Sequence, residues 1–168
     1  SPHVRTVLRH NDINRAKRSV LVDLKTREGL EIFWKLVDQA DVVLQNLRPG
    51  QGDAVGLGGE ALLARKPSLI YCNIGAFGAK GPLAGRPGYD SLMQAFGGIM
   101  SVVGEEGQAP VRVGPSIIDM GAAMWAAIGV VTALYRRRDS GRGGVVDVSL
   151  FETAAAWISS SGSSSKAG

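Results

Sequence analysis

A chain of 168 residues, 45% hydrophobic and 20% charged, can bury a core of ordinary size, which excludes a disordered or collagen-like polymer. Its net charge of +4 suits a small polyanionic ligand as well as it suits nucleic acid. The lone cysteine, Cys72, excludes an internal disulfide and fits a reducing compartment, so the cytoplasm is the expected location.

The opening "SPHVRTVLRHNDINRAKRS" is polar and basic and has no apolar leader. Residues 1–13 read as an N-terminal segment, 14–158 as one partial domain, and 159–168 as a Ser/Gly-rich tail. Within the domain, "SVLVDL" (19–24) is short, apolar and β-branched, which predicts a strand. In "TREGLEIFWKLVDQA", Leu30, Phe33, Trp34 and Val37 recur at helical spacing. "DVVLQN" (41–46) predicts a second strand, followed by the Gly-rich break "RPGQGDAVGLGG". "EALLARK" is a short helix stopped by Pro67, and "SLIYCNI" (68–74) a third strand.

"GAFGAKGPLAGRPGY" (75–89) is a Gly/Pro loop too long for a simple connector. "DSLMQAFGGIMSVVG" predicts a helix, and "EEGQAPVRVGP" another loop. A long apolar helix spans about Ile117 to Arg138, then come a strand at 144–149 and a last helix. Alternation of apolar strands with helices predicts an α/β fold, a mostly parallel sheet with crossover helices.

The long helix carries one charge, Asp119, before "RRR" at 136–138. Its length mimics a membrane span, but Ala and Gly dominate it and a lone Asp is costly in lipid, so no membrane partner is expected. A helix buried on all sides of a soluble core is the expectation. Asp119 at its head is either a first-turn acid that complements the helix dipole or a carboxylate nucleophile, and spacing alone leaves both open. His3 and His10 lie in the polar opening and Cys72 stands apart, so no metal cluster is expected. "GLGG" (56–59) matches no phosphate-binding fingerprint, and no Gly-x-Ser-x-Gly elbow occurs. Aromatics do not alternate with "RAKRS" (15–19), so no nucleic-acid partner is expected.

Five stretches in order, "NRAKRSVLVDLK", "ADVVLQNLRPG", "SLIYCNIGAFGAKGPLAGRPGYD", the Asp119 helix and "GRGGVVDVSLFETA", resemble the family III CoA-transferases, whose superfamily includes α-methylacyl-CoA racemases. That resemblance implies a piece of a nucleotide-fold large domain, in proteins more than twice this length that assemble as interlocked homodimers. A preceding strand–helix unit, a small domain and a later Gly-rich loop of the family are missing here, so an internal fragment is expected.

The resemblance also implies roles. Asp119 matches the catalytic aspartate, which favours the nucleophile over the cap. Val22, Asp23, Leu24 and Lys25 match a segment lining the CoA nucleotide. Asn46, Leu47 and Arg48 match a CoA contact, with Leu47 where Phe is usual. Tyr89 and Asp90 match a pair facing the thioester end. A further arginine that often follows is replaced here by Gly52-Asp53-Ala54-Val55. The implied activity is transfer of CoA from an acyl-CoA to a carboxylic acid through an aspartyl intermediate, without a metal. The Gly-rich loop from Gly75 to Gly88 would let backbone N–H groups reach the oxyanions. Racemases of the superfamily carry His at the position of Tyr89, and a phenol is too weak an acid to stand in for imidazole. A racemase, or an inactive CoA-binding or dimerisation module, are the alternatives.

Overall fold

A computed structural model describes residues 14–48 and 50–159. The opening segment 1–13, with His3 and His10, and the tail beyond Ser159 lie outside the described residues. The chain divides into two compact units between Trp34 and Lys35.

In the first unit the backbone turns at 14–16 and runs without regular structure through 17–23. The strand expected at 19–24 is therefore not formed. Val20 and Leu21 have strand-forming side chains, but both are exposed, and β-branched composition alone does not supply a ladder partner. Asp23 builds a turn instead: Lys25 N–H donates to its Oδ1 at 3.0 Å and Thr26 N–H to its carbonyl at 3.2 Å. Thr26 then caps helix α1 (Arg27–Gln39), accepting at Oγ1 from Gly29 N–H at 3.1 Å. Gly29 is required there, because a Cβ would run into the Asp23 carbonyl.

The second unit holds a sheet of three parallel strands: β1 (Val42–Gln45), β2 (Ile70–Gly75) and β3 (Gly144–Ser149), in the order β1-β2-β3. Helices α2 (Gln51–Ala54) and α3 (Gly59–Arg65) connect the first pair. Helices α4 (Asp90–Phe96), α5 (Ile117–Ser140) and, after β3, α6 (Leu150–Ser159) complete it. The expected strands at 41–46, 68–74 and 144–149 are all present, in the parallel arrangement expected. The helix expected over 90–104 stops at Phe96, because Gly97 and Gly98 follow and Gly98 sits at φ 85, beyond the helical region.

The core gathers Met93 of α4, Ile118 and Ala122 of α5, and Leu150 and Ala154 of α6 around Ala76. Helix α5 approaches its neighbours through glycine notches. A Cβ on Gly121 would strike the Trp157 ring, and one on Gly129 the Val146 side chain. The helix is not buried on all sides, as composition led one to expect. One face, with Ile118, Gly121, Ala122 and Ala126, is buried, while Met120, Met124, Ile128, Val131 and Tyr135 are exposed. Apolar composition was uniform around the helix, so the packed face could be told only from its neighbours. Among the described residues this is one helix long and apolar enough to cross a membrane.

Candidate active site

In parallel α/β sheets the strands point their carboxyl ends at the loops that carry function. Here Arg48 follows β1, the loop 75–89 follows β2, and α6 begins where β3 ends. The loop is held by aromatic contacts: Phe77 meets Phe96 of α4 edge-on at 5.3 Å between centroids, and Phe96 meets Phe151 of α6 at 5.6 Å. Phe151 N–H also donates to the Ala76 carbonyl at 2.9 Å. Ser149, buried at the end of β3, caps α6 by accepting from Glu152 N–H at 3.0 Å.

An open cleft of about 580 Å³ lies over these strand ends. Asn46, Leu47, Arg48, Tyr89 and Asp119 all line it, so five side chains named from the sequence meet in one place. Arg86, which sequence reasoning passed over although it stands in the quoted "GRPGYD", lines it too. A second cavity of about 350 Å³ shares Leu47, Arg48, Gly75, Ala76 and Arg86 with the first. Its floor carries a polar row across the sheet: Gln45 Nε2 donates to Asn73 Oδ1, and Asn73 Nδ2 donates to Asp147 Oδ1 at 2.8 Å. These residues sit in register on neighbouring strands, a relation no linear motif displays. Val22–Lys25 belong to the first unit, in the turn before α1. Lys25 does not stand at a strand end, since no strand precedes it.

Asp119 is not the cap of its helix. Ser116 holds the cap position and makes no side-chain cap bond. The orphan N–H groups of the first turn are instead met from outside by Asp90. Its Oδ2 accepts from Ile118 N–H at 2.8 Å and from Asp119 N–H at 3.1 Å, and its Oδ1 from Gln94 Nε2 at 2.6 Å. Asp90 is buried and does not line the cleft, a neighbourhood different from the thioester-facing one the resemblance implies. The reason is local. Tyr89 has extended backbone, φ −148 and ψ 166, so it and the next side chain point opposite ways, Tyr89 outward and Asp90 inward.

The Asp119 carboxylate is thereby left unspent: among the described residues it has no hydrogen bond or ion pair. Burial first, and the negative charge of Asp90 second, push its pKa above the ordinary 3.8. The Ile118 and Asp119 N–H groups of the helix terminus serve Asp90 and so do not bind the Asp119 carboxylate. The arginine guanidinium groups at 48 and 86 likewise have no side-chain partner among the described residues. One carboxylate and two guanidinium groups line the same cleft as the glycine backbone of the loop, an arrangement that suits an anionic ligand. Among the described residues no cluster of His, Cys, Asp and Glu fits a metal.

The model of the family "CoA-transferase family III" matches residues 7–165. The chain is 42% identical over 138 residues to the succinyl-CoA–D-citramalate CoA-transferase of Chloroflexus aurantiacus, covering 82% of this chain and 34% of that protein. It is 39% identical over 147 residues to the acetyl-CoA:oxalate CoA-transferase of Acetobacter aceti, covering 87% and 38%. A CAIB/BAIF family protein from Brucella suis superposes with a TM-score of 0.84 at 39% identity, covering 88% of this chain and 39% of that one. The chain thus spans roughly a third of the length of the curated relatives it matches.

Proposed function

Because the chain belongs to CoA-transferase family III, we propose that its protein moves CoA between carboxylic acids, with Asp119 as the covalent nucleophile. The observation that carries this is the unspent Asp119 carboxylate lining the same cleft as Asn46, Arg48 and Tyr89. An Asp119 oxygen attacks the thioester carbonyl carbon. The C–S bond breaks, the thiolate leaves with the electron pair, and an aspartyl–acyl anhydride remains. The thiolate then attacks the Asp119 acyl carbon and releases the donor acid as its carboxylate. The acceptor carboxylate attacks the resulting aspartyl-CoA thioester and frees the thiolate again. Attack of that thiolate on the acceptor carbonyl yields the new acyl-CoA and restores Asp119. Each step exchanges one activated acyl bond for another of similar energy, which is why no external energy source is needed.

The roles of the other residues are those the resemblance implies, and charge and position support them. Arg48 pairs with a CoA phosphate, and Asn46 and Leu47 line the path of its arm. Gly75, Ala76 and Gly88 bring backbone close to where the tetrahedral oxyanion forms. Citramalate and oxalate, named for two relatives, are acids with two carboxylates. A small dicarboxylic acid is the proposed substrate class here, with the Arg86 guanidinium available to the carboxylate that does not react. Transfer is favoured over racemisation because Tyr89 stands where a racemase needs imidazole. The working form is a homodimer, a reading supported by the exposed apolar stripe of α5, and its location is the cytoplasm, a reading that rests on the lone cysteine.

The test is transfer from an acyl-CoA to a labelled dicarboxylate by the full-length polypeptide, with mass spectrometry for an adduct on Asp119. Asp119→Asn abolishes both transfer and adduct. Undiminished transfer by the folded variant would return Asp119 to a structural role.

A further inference from the structure

The bracket beneath Asp119 is built with more care than a helix cap requires. Asp90 is 5% exposed and Gln94, one helical turn on, is 0%. Gln94 spends all of its amide: Nε2 on Asp90, with Val113 and Pro115 carbonyls at 3.4 Å, and Oε1 accepting from Val113 N–H at 2.8 Å. Two side chains of α4 thus fix both the strap 113–115 that enters α5 and the first turn of α5 itself. A neutral Ser or Asn would cap those N–H groups nearly as well as a buried carboxylate does. A charge in this position costs desolvation, and that cost asks for a role beyond capping.

We propose that Asp90 is a positioning residue for Asp119, holding its backbone through the Asp119 N–H and keeping beneath the nucleophile a negative charge whose repulsion is released when Asp119 is acylated. This rests on Asp119 being the nucleophile. In the resting state two carboxylates share one helix terminus, and the terminal N–H groups serve the buried one. When Asp119 attacks a thioester its negative charge leaves on the CoA sulfur, and the aspartyl anhydride is neutral. The like-charge repulsion and the desolvation of the Asp119 anion both disappear in that step. The same interaction that raises the pKa of Asp119 therefore favours its conversion to acyl-enzyme. The charged or titratable groups lining the cleft around Asp119 are Arg48, Arg86 and Tyr89. Among the described residues α6 contributes Leu150 to the cleft, and Asp90, behind it, is the acid whose charge opposes Asp119.

The experiment uses the full-length polypeptide, an acyl-CoA, and the variants Asp90→Asn and Asp90→Ser. Both keep an oxygen for the helix N–H groups and remove the charge. The fraction of Asp119 found as adduct at fixed acyl-CoA is expected to fall on the order of tenfold, the scale of one like-charge contact near a protein surface. The acid limb of the kcat/KM profile moves to lower pH, while KM for acyl-CoA changes little. Asp90→Glu, which keeps the charge, retains the wild-type acid limb. A folded Asp90→Asn or Asp90→Ser protein with unchanged adduct fraction and unchanged acid limb would overturn the proposal. So would loss of fold in both, since Asp90 would then be structural only. If the wild type itself shows no adduct on Asp119, it is the nucleophile reading that has failed, and the two failures are told apart.

Discussion

Asp90 accepts a hydrogen bond from the Asp119 backbone at 3.1 Å while its charge opposes the Asp119 side chain. The two carboxylates are 29 residues apart in sequence and belong to different helices. One organises the helix terminus, and the other has no side-chain hydrogen bond among the described residues.

The first prediction is a stability gain on disarming the site. The pKa of Asp119 is raised in the folded state, so the folded protein binds more protons than the unfolded one just above pH 3.8. Stability is accordingly lost as pH rises through the folded pKa, and the full penalty stands at neutral pH. Asp119→Asn is expected to raise Tm at pH 7, with the difference shrinking to nothing in acid below the ordinary carboxylate range. Thermal melts of both proteins across pH measure this, and equal Tm at all pH values would contradict it.

The second concerns Arg48, which lines both cavities. Arg48→Ala is expected to weaken CoA binding by more than about 1 kcal/mol, the loss of a charge-assisted phosphate contact. Isothermal calorimetry with CoA decides it. Equal binding by wild type and variant removes Arg48 from the site.

The third tests the notch in α5. Ala is the better helix former by about 1 kcal/mol, so an exposed Gly121→Ala change would stabilise. Here the added methyl meets the Trp157 ring and Thr153, and overpacking of this kind costs about 1–3 kcal/mol. Denaturant titration should show net destabilisation, and a more stable Gly121→Ala protein would mean that α6 yields easily.

The fourth is chemical. Cys72 is fully buried in β2, and burial first, then the charge of Asp147, pushes its thiol pKa up. Native protein is expected to resist iodoacetamide at neutral pH and to react stoichiometrically once unfolded. Fast labelling of the native form would show β2 opening on its own.

The three paired strands were legible because short apolar runs between turn signals admit few other structures. "SVLVDL" has the same chemistry, but composition reports fitness for a ladder and says nothing about a partner. The cleft was legible through Asn46, Leu47, Arg48, Tyr89 and Asp119, whose matching motifs a resemblance can align. The role of Asp90 was not, because Tyr89 and Asp90 are neighbours in sequence and extended backbone sends them to opposite sides. The spacing of Asp90 and Gln94, one turn apart on α4, was visible, but nothing in it points to Ile118 and Asp119. The orientation of α5 was hidden for a similar reason: Met120 and Ala122 are equally apolar, and only packing separates the exposed face from the buried one.

Joining the Asp119 backbone to a distant segment has a consequence for the chain during its own maturation. Away from α4, Asp119 is an aspartate like any other, with neither the buried neighbour nor the fixed turn. On the proposed reading, Asp119 reaches its working geometry at the moment the two helices dock. Protection of the Ile118 and Asp119 amides from hydrogen exchange should consequently appear together with competence to form the adduct, and heating should erase both together.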